Sequence, residues 1–336
     1  MKLIASGSIT AVILATGFGI ASAQVPFNRL LNAQSDSQNW LTYNGNLKST
    51  HYSMLDQITP GNVANLDLKW VYQVQSLEKF EATPLVVDGV MYVSEPPNNV
   101  AAIDTRSGRP YWVYERPLPE TTYVCCGNIN RGLAILGNTL FMGTVDAHLL
   151  ALDASTGRKK WETKVADYTQ GYAVTVAPLV VKNMVIIGTA GGERGISGFL
   201  AAYDAQTGKE LWKFHTIPQP GEQNFGTWKG DSWKTGGASA WVTGSYDADL
   251  NLLYWGIGNP GPDWNSSSRT GANLYSDCVV AMDADTGKAK WFYQFTPGDE
   301  WDFDSVQVPV LADLNWKGSP RKVMLWGNRN GFFYVL

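Results

Sequence analysis

Hydrophobic and polar positions along this chain repeat one phrase four times. In each copy an apolar run ends in Asp, Gly follows the Asp by four residues, and Trp follows it by eight. The copies are Ala102–Trp112 (AIDTRSGRPYW), Ala151–Trp161 (ALDASTGRKKW), Ala202–Trp212 (AYDAQTGKELW) and Ala281–Trp291 (AMDADTGKAKW). The grammar is strand, turn, strand. Asp hydrogen-bonds its own turn backbone, Thr-Gly or Ser-Gly supplies the positive φ of a tight reversal, and a new strand carries the aromatic back. A single D-x-x-T/S-G is only a common hairpin turn. Four in register with Trp, at spacings of 49, 51 and 79 residues, indicate a repeated unit of four short strands.

Ahead of the first three phrases lie apolar runs broken by Asp-Gly or Asn: Pro84–Val93, Leu133–Met142 and Ala177–Gly188. These read as the inner strands of each unit. The fold class predicted is all-β, a β-propeller with four complete blades and a fifth begun at Val306–Leu336. Val323–Leu336 reads as two strands and a turn with no D-x-x-T-G after it. Propellers protect their edge strands by radial closure, so an N-terminal part of a longer propeller is expected over residues 24–336.

Composition narrows the class. Fourteen Trp and 34 Gly with only 17% charged residues suit an aromatic-packed all-β protein and argue against disorder. A net charge of −4 without a basic stripe gives no nucleic-acid footprint. Residues 1–23 read as a secretory signal peptide: Lys2, a small-and-apolar run from Leu3 to Ile20, then Ala21-Ser22-Ala23 before Gln24. Export to a bacterial periplasm is expected, with no membrane span after cleavage. Of three cysteines, Cys278 sits in an apolar strand and reads as a buried small residue. Cys125 and Cys126 are adjacent, and on adjacency alone two unrelated thiols are the simpler reading than a strained ring.

Unusual residues gather where the repeat breaks. An insertion of roughly 219–275 holds Gly236-Gly237-Ala238-Ser239-Ala240-Trp241 and Gly258-Asn259-Pro260. After the fourth phrase comes Asp299-Glu300-Trp301-Asp302-Phe303-Asp304. Carboxylates crowded this closely repel one another, and a cation is the usual remedy, while a surface loop is an equal reading of composition alone.

Together with the opening Trp40, Tyr43 and Ser53–Leu66 and the closing Arg329-Asn330-Gly331, these motifs resemble the pyrroloquinoline quinone (PQQ)-dependent alcohol dehydrogenases over essentially the whole mature chain. That family's fold is an eight-bladed propeller, of which about four and a half blades fall here. The resemblance implies metal-ligating roles for Glu193, Asn259 and Asp302, with Asp302 also the catalytic base. It implies that Trp241 lies flat beneath the cofactor and that Cys125 and Cys126 close a disulfide ring over its other face. Arg131, Thr175 and Glu81 match polar groups around the quinone's carboxylates, and Arg329 matches the arginine beside its reactive carbonyls. Ala190 departs from members that place a serine there, which leaves one cofactor hydrogen bond without its side chain.

Asp304 carries the metal expectation. Residues i and i+2 of an extended segment share a side, so Asp304 would add its carboxylate to those of Glu193 and Asp302. Calcium-type members usually carry a small uncharged residue there, and lanthanide-type members resemble this chain in carrying Asp. The implied ion is thus a lanthanide, with Ca²⁺ as the alternative. The resemblance further implies an alcohol substrate, a cytochrome c as electron acceptor, and room for a homodimer. Two rivals remain: a non-catalytic scaffold of PQQ-like repeats, and a quinoprotein sugar dehydrogenase. The first lacks the Cys-Cys and D-E-W-D motifs, and the second usually lacks the vicinal cysteines.

Overall fold

The computed structural model describes residues 24–122 and 124–336, so the signal-peptide segment 1–23 lies outside the described residues. Four antiparallel meanders of four strands and one of three follow each other along the chain. The first is β1 (Leu85–Val87), β2 (Val90–Glu95), β3 (Asn99–Asp104) and β4 (Pro110–Tyr114). The second is β5 (Ala134–Leu136), β6 (Thr139–Gly143), β7 (His148–Asp153) and β8 (Lys159–Lys164). The third is β9 (Leu179–Val181), β10 (Met184–Gly188), β11 (Phe199–Asp204) and β12 (Glu210–His215). The fourth is β13 (Ser245–Asp247), β14 (Leu252–Gly256), β15 (Cys278–Asp283) and β16 (Ala289–Gln294). A fifth sheet holds β17 (Val310–Trp316), β18 (Ser319–Gly327) and β19 (Phe333–Val335). First strands of neighbouring sheets meet, β5 against β9 and β13 against β17, whereas β4, β8 and β16 have no buried residue. The sheets are blades of a β-propeller with the first strand innermost.

The eleven-residue phrase spans the third and fourth strands, and each copy carries a register shift at the same place, after Ala102, Ala151, Ala202 and Ala281. The Asp closes the turn through its side chain: Asp204 Oδ1 accepts from the Thr207 amide and hydroxyl, both at 2.8 Å. The Trp then reaches across to the turn of the next blade. Indole N–H groups of Trp112, Trp161 and Trp212 donate to the carbonyls of Ala154, Ala205 and Ala284 at 3.1, 3.2 and 3.1 Å. Beneath Trp161 lies Gly208, where φ is +70° and a Cβ would stand 2.7 Å from the ring. Glycine is required twice over there, by the turn and by the stacking. The repeat is therefore an inter-blade clasp as much as a hairpin.

The same clasp appears once outside the four phrases. Trp70 donates to the Thr105 carbonyl at 2.9 Å, so residues around it occupy the place of an outermost strand beside the first blade. The segment expected to be one insertion, 219–275, contains β13 and β14. That reading is corrected: two excursions, 216–244 and 257–277, flank the first strands of the fourth blade. Ser245–Asp247 is polar yet fully buried, so hydropathy gave no sign of it. Cys278 is fully buried, as expected.

In such a meander, the loops from second to third strand and the links from fourth to next first strand share one end of the molecule. The Asp turns lie at the other end. On the loop-bearing side of the second blade, Arg116 and His148, both partly buried, flank the buried Asp146: Arg116 meets Asp146 at 2.6 Å and His148 Nδ1 lies 3.2 Å from Asp146 Oδ2. Asp146's hydrogen bond holds the His148 pKa above its usual value. A group raised on folding stabilises below its unfolded pKa, about 6.5, and that contribution disappears as pH rises through the folded value. His148→Gln should accordingly cost more stability at pH 6 than at pH 8.5 in urea denaturation; equal costs would contradict this coupling.

Candidate functional site

All eleven candidate site residues fall on that shared end. Glu81 precedes β1, Cys125, Cys126 and Arg131 lie between β4 and β5, and Thr175 lies between β8 and β9. Glu193 follows β10, Trp241 precedes β13, and Asn259 follows β14. Asp302 and Asp304 lie between β16 and β17, and Arg329 lies between β18 and β19. Loops carry the chemistry while the blades fix where the loops begin. Ten of these eleven side chains line one cavity of about 370 Å³, within the range of small-molecule sites. Arg329 stands at its edge, joined to it through Asp304.

One part of the lining is a polar cluster around Arg131. Arg131 pairs with Glu81 at 3.0 Å and donates to the Thr175 hydroxyl at 2.9 Å. Its guanidinium stacks on Trp241, 4.5 Å from the ring centroid, a pairing sequence reasoning missed. Burial lowers its pKa from the usual arginine value. Cys125 and Cys126 close a vicinal disulfide in the cavity wall. Ala190 also lines the cavity. Titration of the unfolded, unreduced protein should find one free thiol, Cys278, and all three of the sequence's cysteines after reduction. Three thiols before reduction would show that the ring is open.

Another part of the lining is acidic. Asp304 Oδ1 accepts from the Asn259 backbone N–H at 3.2 Å and from the Trp241 indole at 3.3 Å, and Oδ2 accepts from Arg329 at 3.1 Å. This approach explains the glycine of Gly258-Asn259-Pro260, because a Cβ at 258 would collide with Asp304 Oδ1. Burial and then the Asp302 charge push the Asp304 pKa up to about 6. Burial and the neighbouring Asp263 charge raise Asp302 as well. The carboxylates are thus crowded and under-compensated by the protein itself, although among the described residues no three His, Cys, Asp or Glu side chains converge to hold a metal ion.

One premise is corrected here. The segment bearing Asp302 and Asp304 is not extended, since both residues have left-handed φ, +59° and +45°. Both nevertheless line the cavity, so they share a site through backbone strain and not through strand alternation. Sequence reasoning also missed Asp263, which lines the cavity and accepts from the Asn259 amide at 2.8 Å. Its position four residues after Asn259, in the same Gly-Pro loop, was the available signal.

Residues 40–336 match the family model described as PQQ glucose/ethanol/alcohol dehydrogenase, beta-propeller domain. The chain is 41% identical to quinohemoprotein alcohol dehydrogenase ADH IIB of Pseudomonas putida, over 98% of its own length and 50% of the relative's. It is 40% identical to the lanthanide-dependent methanol dehydrogenase of Methylacidiphilum fumariolicum, covering 92% of this chain and 54% of that one. The crystal structure of quinohemoprotein alcohol dehydrogenase from Comamonas testosteroni superposes with a TM-score of 0.89 at 40% identity, covering 94% of this chain and 50% of the other. The chain thus spans about half the length of the relatives it matches. Clasped blades, a cavity at their loop end, and a family match over nearly the whole described chain lead to one conclusion: the chain belongs to the PQQ-dependent glucose/ethanol/alcohol dehydrogenase β-propeller family.

Proposed function

We propose that this chain carries the cofactor face of a periplasmic PQQ-dependent alcohol dehydrogenase that oxidises primary alcohols to aldehydes and passes electrons to a cytochrome c. The observation supporting this most strongly is the single cavity lined at once by a vicinal disulfide, an indole paired with an arginine, and a crowded set of oxygen donors. Those parts fit a flat, anionic o-quinone and a hard cation. Bound PQQ would supply the two-electron oxidant, and the cation Lewis acidity at a carbonyl oxygen.

The chain's own residues do the rest. Arg131 and Thr175 hold carboxylate groups, with Glu81 keeping Arg131 in place. Trp241 and the Cys125–Cys126 ring bound the slot in which a planar group is held. Glu193, Asn259, Asp302 and Asp304 would supply the cation's oxygen ligands, and Arg329 would add a positive charge beside the cofactor's carbonyls. Asp302 takes the alcohol's hydroxyl proton as the adjoining carbon is oxidised. Three carboxylates favour a trivalent lanthanide, with Ca²⁺ as the alternative ion.

Intact protein reconstituted with PQQ and either lanthanum or calcium tests this by dye reduction. Short primary alcohols should be turned over and aldoses should not. Preference for aldoses, or failure to retain PQQ, would overturn the reading.

A further inference from the structure

Asp263 belongs to no proposed ligand set, yet it lines the cavity and its Oδ1 accepts from Asn259 Nδ2 at 2.8 Å. We infer that Asp263 is a positioning residue: it holds the amide nitrogen of Asn259 and thereby turns the amide oxygen towards the cation. This rests on the proposed function and deepens it.

An asparagine amide offers donors on one side and an acceptor on the other, and a half-turn exchanges them. The Asn259 backbone is fixed independently, its N–H on Asp304 at 3.2 Å and its carbonyl accepting from Ala238 at 3.0 Å. Only the side-chain torsions remain to be set. Glu193, Asp302 and Asp304 line the same cavity, and ionised carboxylates only accept hydrogen bonds. Left to those three, the amide would turn its NH₂ group inward and present donors to an arriving cation. Asp263 competes for that NH₂ group with a charge-assisted hydrogen bond, among the stronger kinds available. The amide oxygen is then left for the metal. Ligand orientation by a partner outside the ligand set is a general feature of metal sites.

The test uses intact, PQQ-loaded protein titrated with lanthanum(III) by calorimetry. Asp263→Ala should weaken lanthanum binding by about 10- to 100-fold, the range typical of such orienting partners. Asp263→Asn keeps an acceptor oxygen and loses only the charge, so it should retain part of the affinity. Asp263 is half-exposed in a loop, and unchanged thermal unfolding of the cation-free variants would show that the fold is intact. In an Asn259→Asp background the ligand has no donor side to misdirect, and Asp263→Ala should cause no further loss. An Asp263→Ala variant that binds lanthanum as tightly as the wild type would overturn the inference. So would an equal loss in the Asn259→Asp background, which would make the effect one of general charge. A wild type that retains PQQ but takes up no lanthanum would overturn both this inference and the metal reading beneath it.

Discussion

Asp302→Asn should lower kcat for alcohol oxidation by about 10²- to 10⁴-fold, the usual range for loss of a general base. Under the proposed function the substitution would keep an oxygen for the cation but remove the group that accepts the hydroxyl proton. An unusual backbone places Asp302 in the cavity wall: φ is +59° at a non-glycine residue, within a loop where the Trp301 and Phe303 backbone amides donate to the buried Asp299 carboxylate at 3.1 and 2.9 Å. Those two bonds hold the strained segment, so the side chain projects into the cavity without depending on substrate. Because Asn is nearly isosteric, retention of PQQ and of thermal stability is expected, and the loss should appear in kcat more than in KM. More than a tenth of wild-type turnover in Asp302→Asn would remove Asp302 from the role of base.

Asp304→Ala should separate the metals. Under the proposed function three carboxylates would surround the ion and compensate a trivalent cation, whereas two would suffice for a divalent one. Asp304 already engages Trp241, Asn259 and Arg329. A carboxylate has about four lone-pair sites, so capacity for a cation remains. Lanthanide-dependent activity should fall by about 100-fold or more, at or beyond the upper end of the cost of losing an orienting partner. Calcium-dependent activity should change little. Equal activity of wild type and variant with lanthanum would show that Asp304 is a structural carboxylate bonded to Trp241 and Arg329.

The fold was legible because its strongest contacts are written locally. Asp204, Thr207, Gly208 and, one blade earlier, Trp161 are all parts of the same phrase, and each copy clasps the next. Trp70 escaped notice because no Asp-x-x-Thr-Gly turn precedes it, although it docks as Trp112 does. Ser245–Asp247 escaped because its polar residues are buried against the N-terminal arm, Ser245 Oγ bonding Ser49 at 2.7 Å and Tyr246 N–H the Leu47 carbonyl at 2.8 Å. A strand satisfied by polar tertiary contacts shows no hydrophobic alternation.

The candidate site was legible by resemblance in its membership and not in its geometry. Sequence placed Arg131 and Trp241 in separate roles, whereas they stack on each other. It assumed an extended segment at Asp302–Asp304, where both residues are left-handed. It also passed over Asp263, because an aspartate after Gly-Pro reads as turn chemistry until its partner is known.

A crystal structure of the intact protein loaded with PQQ and cerium, with the ion located by its anomalous scattering, tests the central claim most directly. The account predicts one cerium in the described cavity, beside the PQQ and bound by oxygens of Glu193, Asn259, Asp302 and Asp304. Cerium found outside that cavity, or within it but out of reach of Asp304 while PQQ is in place, would contradict it.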